Sequence, residues 1–195
     1  DQRSEQHRFA GALILSQLSS NAPAFMFIRR QTIFSVIWDL VCDKSAKVRD
    51  AAAEALEAGL QVVSQRETME EYLQQALTQI GQGFTANTLE KNLSSLIILD
   101  IVVNGVVSAQ DLNSSIVAAD LADDLIWKVL QRRDSRDEAV RQKVIEIIPN
   151  LADAFPSTFV HQNPSTNPDN FLIFCLKFLM ETIHMKKLRP AAYIS

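Results

Sequence analysis

Apolar residues recur along this chain with the period of an α-helix. From Val48 the apolar or small positions are Val48, Ala52, Ala55, Leu56, Gly59, Val62 and Val63. Their spacing traces a single face of a 3.6-residue helix, and Arg49, Asp50, Glu54, Glu57 and Gln61 fall outside it. The same spacing returns 92 residues later at Val140, Val144, Ile147, Ile148, Leu151, Ala154 and Phe155. It occurs less cleanly 41 residues earlier at His7, Gly11, Ile14, Leu15 and Leu18. A similar face at Leu89, Leu93, Leu96 and Ile97 is interrupted by Asp100. Between these stripes the pattern predicts second helices over Phe25–Val41, Glu70–Ile80, Ile116–Leu130 and Phe171–Met185. Stripes repeating every 40–50 residues or so predict a helical solenoid, in which each helix pair buries its apolar face against its neighbours. The expected organisation is one array over 1–195, with repeats at 1–43, 44–84, 85–133 and 134–188 and the start of a fifth.

Punctuation agrees with this division. Pro23 falls where the first helix gives way to the second. Thr68 with Glu71, Asn87 with Glu90 and Ser135 with Glu138 have capping-box spacing at expected helix starts. Gly81 and Gly83 suit a helix end. The stretch from Asn163 to Pro168 reads as an exposed loop, and Pro149 should kink the helix it interrupts.

Composition narrows the class without changing the architecture. The chain has 195 residues, only five Gly and six Pro, 47% apolar residues and a net charge of −4. Scarce turn residues favour long helices over a β-rich fold. The acidic balance argues against a general nucleic-acid binder. Cys42 and Cys175 lie far apart and read as buried free thiols rather than a metal or redox motif. The polar start at Asp1 does not resemble a signal peptide. Asp100 and Asn104 break the longest apolar run, Leu93–Val107, well short of the ~20 residues a membrane span requires. A soluble, intracellular chain is the expectation.

Candidate chemistry is sparse. The five glycines form no phosphate-binding cluster, and neither Asp-Phe-Gly nor His-Arg-Asp occurs. His7, His161 and His184 sit in different units, so no nucleophile–base pair or metal-ligand spacing can be read from them. No catalytic, cofactor or metal residue is therefore expected. His7 should pack near a helix interface, and Trp38 and Trp127 belong among core hydrophobics. The pairs Arg29-Arg30, Arg132-Arg133 and Lys186-Lys187 would have to align in one groove with aromatics to read as a nucleic-acid site, and solvated faces or protein contacts fit them better.

A basic residue near the start of each first helix is the most regular polar feature: Arg8, Arg49, Lys91 and Arg141, with Asp43 six residues before Arg49. The stretch from Asp43 to Leu56, together with Ala139-Val140-Arg141, resembles the HEAT repeat. The resemblance implies an all-α solenoid, a right-handed superhelix of antiparallel helix pairs, in which Asp43, Arg8, Arg49, Lys91 and Arg141 form an inter-repeat ladder. Longer stretches are more specific. Arg8 to Leu18, Asn21 to Phe27, Ile37-Trp38-Asp39, Val48 to Leu56 and Ser64-Gln65-Arg66-Glu67 are, in order and spacing, similar to the N-terminal HEAT region of target of rapamycin (TOR) kinases. So are Leu93 to Asp100, Ile126 to Leu130, Ile147 to Pro156 and Lys186 to Ile194. Two departures, a short connection at Ser108–Ser115 and the Asn163–Pro168 loop, suggest a divergent lineage.

The resemblance implies a piece of a giant Ser/Thr kinase whose catalytic domain lies elsewhere, towards the far C-terminal end. It implies a non-catalytic scaffold segment in growth and nutrient signalling, which needs no cofactor. Its partners would be a raptor-like or rictor-like subunit and a second TOR chain, in the cytoplasm or at endomembranes through the complex. Neither nucleic acid nor direct membrane insertion is expected. A HEAT adaptor of another kind, a transport receptor or chromatin-associated scaffold, is the competing expectation. Self-association of the chain through Ile14, Leu15 and Leu18 or through the Ile194 end is a further one.

Overall fold

The computed structural model describes residues 4–64, 69–86, 88–108, 119–156, 159 and 171–183. Among them the chain is all-α, with no strand: α1 (Glu5–Asn21), α2 (Pro23–Ile28), α3 (Arg30–Val41), α4 (Ala46–Ser64), α5 (Met69–Ala86), α6 (Leu89–Ser108), α7 (Ala119–Leu130), α8 (Glu138–Ala154) and α9 (Phe171–Ile183). A short 3-10 turn, Gln131–Asp134, follows α7. The array of successive helices is of the solenoid type. It divides into two compact units, Asp1–Gly105 and Val106–Ser195.

In the first unit α4 is the central helix, touching α1, α2, α3 and α5. Its buried positions are Val48, Ala51, Ala52, Ala55, Leu56, Gly59, Leu60 and Val63, close to the stripe expected. Ala-rich positions let α1 come close, and α1 meets it with small residues of its own: Ala12, Ser16 and Ser19 are its buried positions. The α1 face therefore differs from the expectation. Leu15 and Leu18 are half-buried, Ile14 is exposed, and His7 lies in solvent beside the Ser4 hydroxyl (2.8 Å to Nδ1) rather than at an interface.

The expected helix over Phe25–Val41 is two helices with a turn at Arg29. The Arg30 guanidinium donates to the Phe27 carbonyl (3.0 Å) and lies over the Phe27 ring, satisfying a carbonyl at the break. The helix expected over Glu70–Ile80 extends to Ala86 and runs straight through Gly81 and Gly83. Gly83 serves close packing rather than termination: a Cβ there would lie 2.0 Å from Ser95 Oγ and 2.8 Å from the Lys91 carbonyl. The start of α6 is tied down by serines. Ser95 Oγ donates to the Ile80 carbonyl (3.1 Å), and Ser94 Oγ shares its proton between the Val41 (2.8 Å) and Glu90 (2.6 Å) carbonyls.

The second unit packs α7, the 3-10 turn and α8 together. Leu125, Ile126, Val129 and Leu130 of α7 are buried, as are Val140, Val144, Ile145, Ile147, Ile148 and Leu151 of α8. Pro149 lies inside α8. The α8 cap is Asp137, whose carboxylate accepts the Ala139 N–H (2.9 Å); Ser135 stands two residues too early and instead accepts the Asp137 N–H (3.3 Å). Thr88 caps α6, accepting the Lys91 N–H at 3.4 Å, while the expected Asn87 cap lies outside the described residues. Trp127 is half-buried with its ring 6.2 Å from Phe174, and Arg133 lies 4.1 Å over the same Phe174 ring. The Thr68 cap, Gln65-Arg66-Glu67, the Asn163–Pro168 loop, His161, His184, Lys186-Lys187 and Ile194 lie outside the described residues.

Candidate partner-binding surface

The polar residues singled out in the sequence take three different roles. Arg8, on the first turn of α1, grips Asp43, just before α4, with a two-pronged contact: Nε to Oδ2 at 2.6 Å and Nη2 to Oδ1 at 3.1 Å. This bond ties the start of α1 to the turn that leads into α4. The Asp43 carboxylate also accepts the Ser45 N–H (2.8 Å). Arg8 hydrogen bonding, aided by that backbone bond, holds the Asp43 carboxyl below the usual carboxylate range, against the opposing effect of burial. Arg49 instead holds its own loop, donating from Nη1 to the carbonyls of Asp43 (2.8 Å) and Lys44 (3.1 Å). Arg141 does the same one unit later, to the Ser135 carbonyl (2.6 Å). Lys91 is exposed and makes no ion pair among the described residues.

Both described cysteines are free thiols. Cys175 is buried, and burial pushes its thiol up to about 12. Cys42 is half-buried rather than fully enclosed. Among the described residues no group of three or more His, Cys, Asp or Glu side chains could hold a metal. None of the described helices is long and apolar enough to cross a membrane. Of the basic pairs, Arg30 and Arg133 are engaged on Phe27 and Phe174 within their own units.

Two concave features of the first unit lie along α5. A groove of about 490 Å³ is lined by Trp38, Glu71, Gln74, Gln75, Thr78 and Gln79. A smaller depression of about 170 Å³ involves Cys42, Gln79, Gln82, Gly83, Lys91 and Ser95 among its lining residues. Gln79 borders both. Helices α3 and α5 run parallel here, since Phe34 meets Tyr72 (4.3 Å between rings) and Trp38 meets Gln75 further along both. The Trp38 indole N–H donates to Gln75 Oε1 (3.4 Å), and Gln75 Nε2 in turn points to Glu71 Oε1 (3.5 Å). Sequence reading placed Trp38 in the core, and its bulk is indeed buried, but its edge borders this groove. The glutamines escaped notice because polar residues on a helix usually mark a solvated face. The recurrence of Glu71, Gln75 and Gln79, four residues apart, is the pattern that could have found them.

Apolar surface is also exposed in the first unit, at Leu13 and Ile14 on α1, Phe25 and Ile28 on α2 and Val36 on α3.

Comparison with known proteins agrees with this architecture. The HEAT repeat family matches residues 33–58, which cover most of α3 and the first two-thirds of α4. The serine/threonine-protein kinase tor1 of Schizosaccharomyces pombe is 26% identical over 91% of this chain. The serine/threonine-protein kinase TOR of Arabidopsis thaliana is 25% identical over 99% of it. The kinase mTor of Drosophila melanogaster is 34% identical over 67 residues, 34% of this chain and 3% of its own. The chain spans 7% of the length of the first two. Helical architecture, repeat match and relatives from yeast and plant converge: the chain is a HEAT-repeat region of the kind carried by TOR serine/threonine kinases.

Proposed function

We propose that this chain is a non-catalytic scaffold segment, from the N-terminal HEAT region of a TOR-type phosphatidylinositol 3-kinase-related protein kinase, that assembles the kinase complex through protein–protein contacts. The observation that carries the reading is the alignment of nearly the whole chain with a 7% share of much longer kinases. A solenoid presents extended surface rather than a closed pocket, and such surface suits many weak contacts with a large partner. The partners in this reading are a raptor-like or rictor-like subunit and a second TOR chain, in growth and nutrient signalling, in the cytoplasm and at endomembranes through the complex. One array over 1–195 in about four repeats, with Arg8 and Asp43 as an inter-repeat rung, belongs to the same reading.

Affinity capture of the tagged chain from source-cell lysate, with mass spectrometry of what is retained, tests it. Recovery of a raptor-like or rictor-like subunit, or of a TOR chain, is the expected result. Recovery of transport cargo or chromatin without any TOR subunit overturns it.

The exposed Leu13, Ile14, Phe25 and Ile28 side chains also give the isolated chain a means of self-association. Light scattering should show mass rising with concentration, and the double variant Leu13→Glu with Ile14→Glu should suppress the rise. A strict monomer at high concentration counts against it.

A further inference from the structure

We propose that the trough along α5 binds an extended polypeptide segment of about five residues by its main-chain amides, with a cationic side chain beside Glu71 and an anionic group beside Lys91. The proposal rests on the scaffold reading above and specifies the chemistry of one partner element. Glu71, Gln75, Gln79 and Gln82 follow one another along α5 and line the two depressions that share Gln79. Eleven residues of helix span about 16 Å at ~1.5 Å per residue. An extended strand covers that distance in about five residues at ~3.3 Å each.

The lining chemistry selects a main chain over other ligands. A glutamine amide carries both a donor and an acceptor, which is what a peptide unit needs opposite it. Gln75 is held in place by Trp38 and Glu71, while Gln74, Gln79 and Gln82 have no side-chain hydrogen bond among the described residues. The Trp38 ring edge offers an apolar surface for one side chain of the segment. Charge sets the ends. Glu71 lines the first depression, and Asp39 and Glu70, each next in sequence to a lining residue, are exposed. Lys91 lines the second. No lysine or arginine lines the first depression, so a phosphate backbone would meet carboxylate and amide there rather than cation. Recognition through main-chain hydrogen bonds tolerates side-chain variety, so a simple synthetic peptide is a fair probe.

The probe is a hexapeptide blocked at both ends, lysine-threonine-valine-threonine-valine-glutamate, titrated into the isotope-labelled 195-residue chain and followed by NMR. The expected result is movement of the Trp38 indole N–H resonance and of the Gln75 and Gln79 side-chain amides. The double variant Gln75→Ala with Gln79→Ala keeps helix-forming residues at two half-buried positions outside the apolar core and should stay folded by circular dichroism. Its affinity should fall about tenfold or more, the loss of one or two net hydrogen bonds. A peptide N-methylated on its backbone should lose at least as much. Equal binding of the N-methylated peptide, unchanged affinity of the double variant, or no movement of these resonances at millimolar peptide overturns the trough. A chain that captures TOR subunits yet fails this titration keeps the scaffold reading and loses this one.

Discussion

Replacing Phe34 with alanine should unfold the first unit more readily than any surface change. Phe34 is 1% exposed and sits where three helices meet. Its ring lies 4.3 Å from Tyr72 on α5 and 5.8 Å from Trp38 on its own helix. Across from it, Gly59 leaves room on α4, since a Cβ there would come within 3.3 Å of the Phe34 ring. Truncation removes the aromatic contacts and leaves a cavity that these helices cannot collapse without moving Gly59 out of register. The expected loss is about 3–5 kcal/mol, or a fall in Tm of roughly 10 °C for a chain of this size. Phe34→Leu keeps most of the volume and should cost less than half as much. Urea unfolding of the three proteins checks the order. A loss below about 1 kcal/mol for the alanine variant would mean that α3, α4 and α5 do not converge on this ring.

Asp43→Ala should produce the second-largest loss, and one that depends on pH. The carboxylate holds Arg8 by two hydrogen bonds and caps the Ser45 N–H. Only 10% of the Asp43 side chain is exposed, so the bonds are only partly replaced by water. Hydrogen bonds to charged groups contribute about 1.5–3 kcal/mol, and the alanine variant should lose an amount in that range at pH 7. The folded-state carboxyl titrates below its unfolded value. Stability from this group is therefore complete above the unfolded pKa, near 3.9 for aspartate, and disappears as pH falls through the folded value. Wild type and variant should differ fully at pH 7 and pH 5 and converge towards pH 3. A gap that stays constant down to pH 3 would assign the loss to helix geometry rather than to the ion pair.

The architecture was legible because α4 and α8 write their buried faces at unbroken helical spacing, α8 in large apolar residues and α4 in a mixture of large and small ones. Val48 to Val63 and Val140 to Leu151 occupy the positions their periodicity predicts. The α1 face was misread for a physical reason. Close helix packing favours small side chains, so Ala12, Ser16 and Ser19 are buried while Leu13 and Ile14 point to solvent. Apolar periodicity reports which residues can be buried, not which neighbour is present to bury them. The break at Arg29 carries no glycine or proline, and its carbonyl is satisfied by a side chain whose aim depends on tertiary structure. The trough was invisible for a similar reason. Trp38 and Gln75 stand 37 positions apart, and only the parallel course of α3 and α5 brings them together.

The two seams of the first unit also respond differently to force. Where α1 meets α4, close packing is joined by an ionic tie, Arg8 on Asp43, which salt or acid slackens. Between α3 and α6 the tie is the neutral Ser94 hydroxyl on the Val41 carbonyl, buried and indifferent to both. Under tension along the chain, the earlier seam should therefore lose the ionic part of its resistance as salt rises. The later one behaves as a fixed weld, backed by the glycine-tight contact of α5 against α6. A pulling force applied at increasing salt should lower the threshold of the first seam and leave the second where it was.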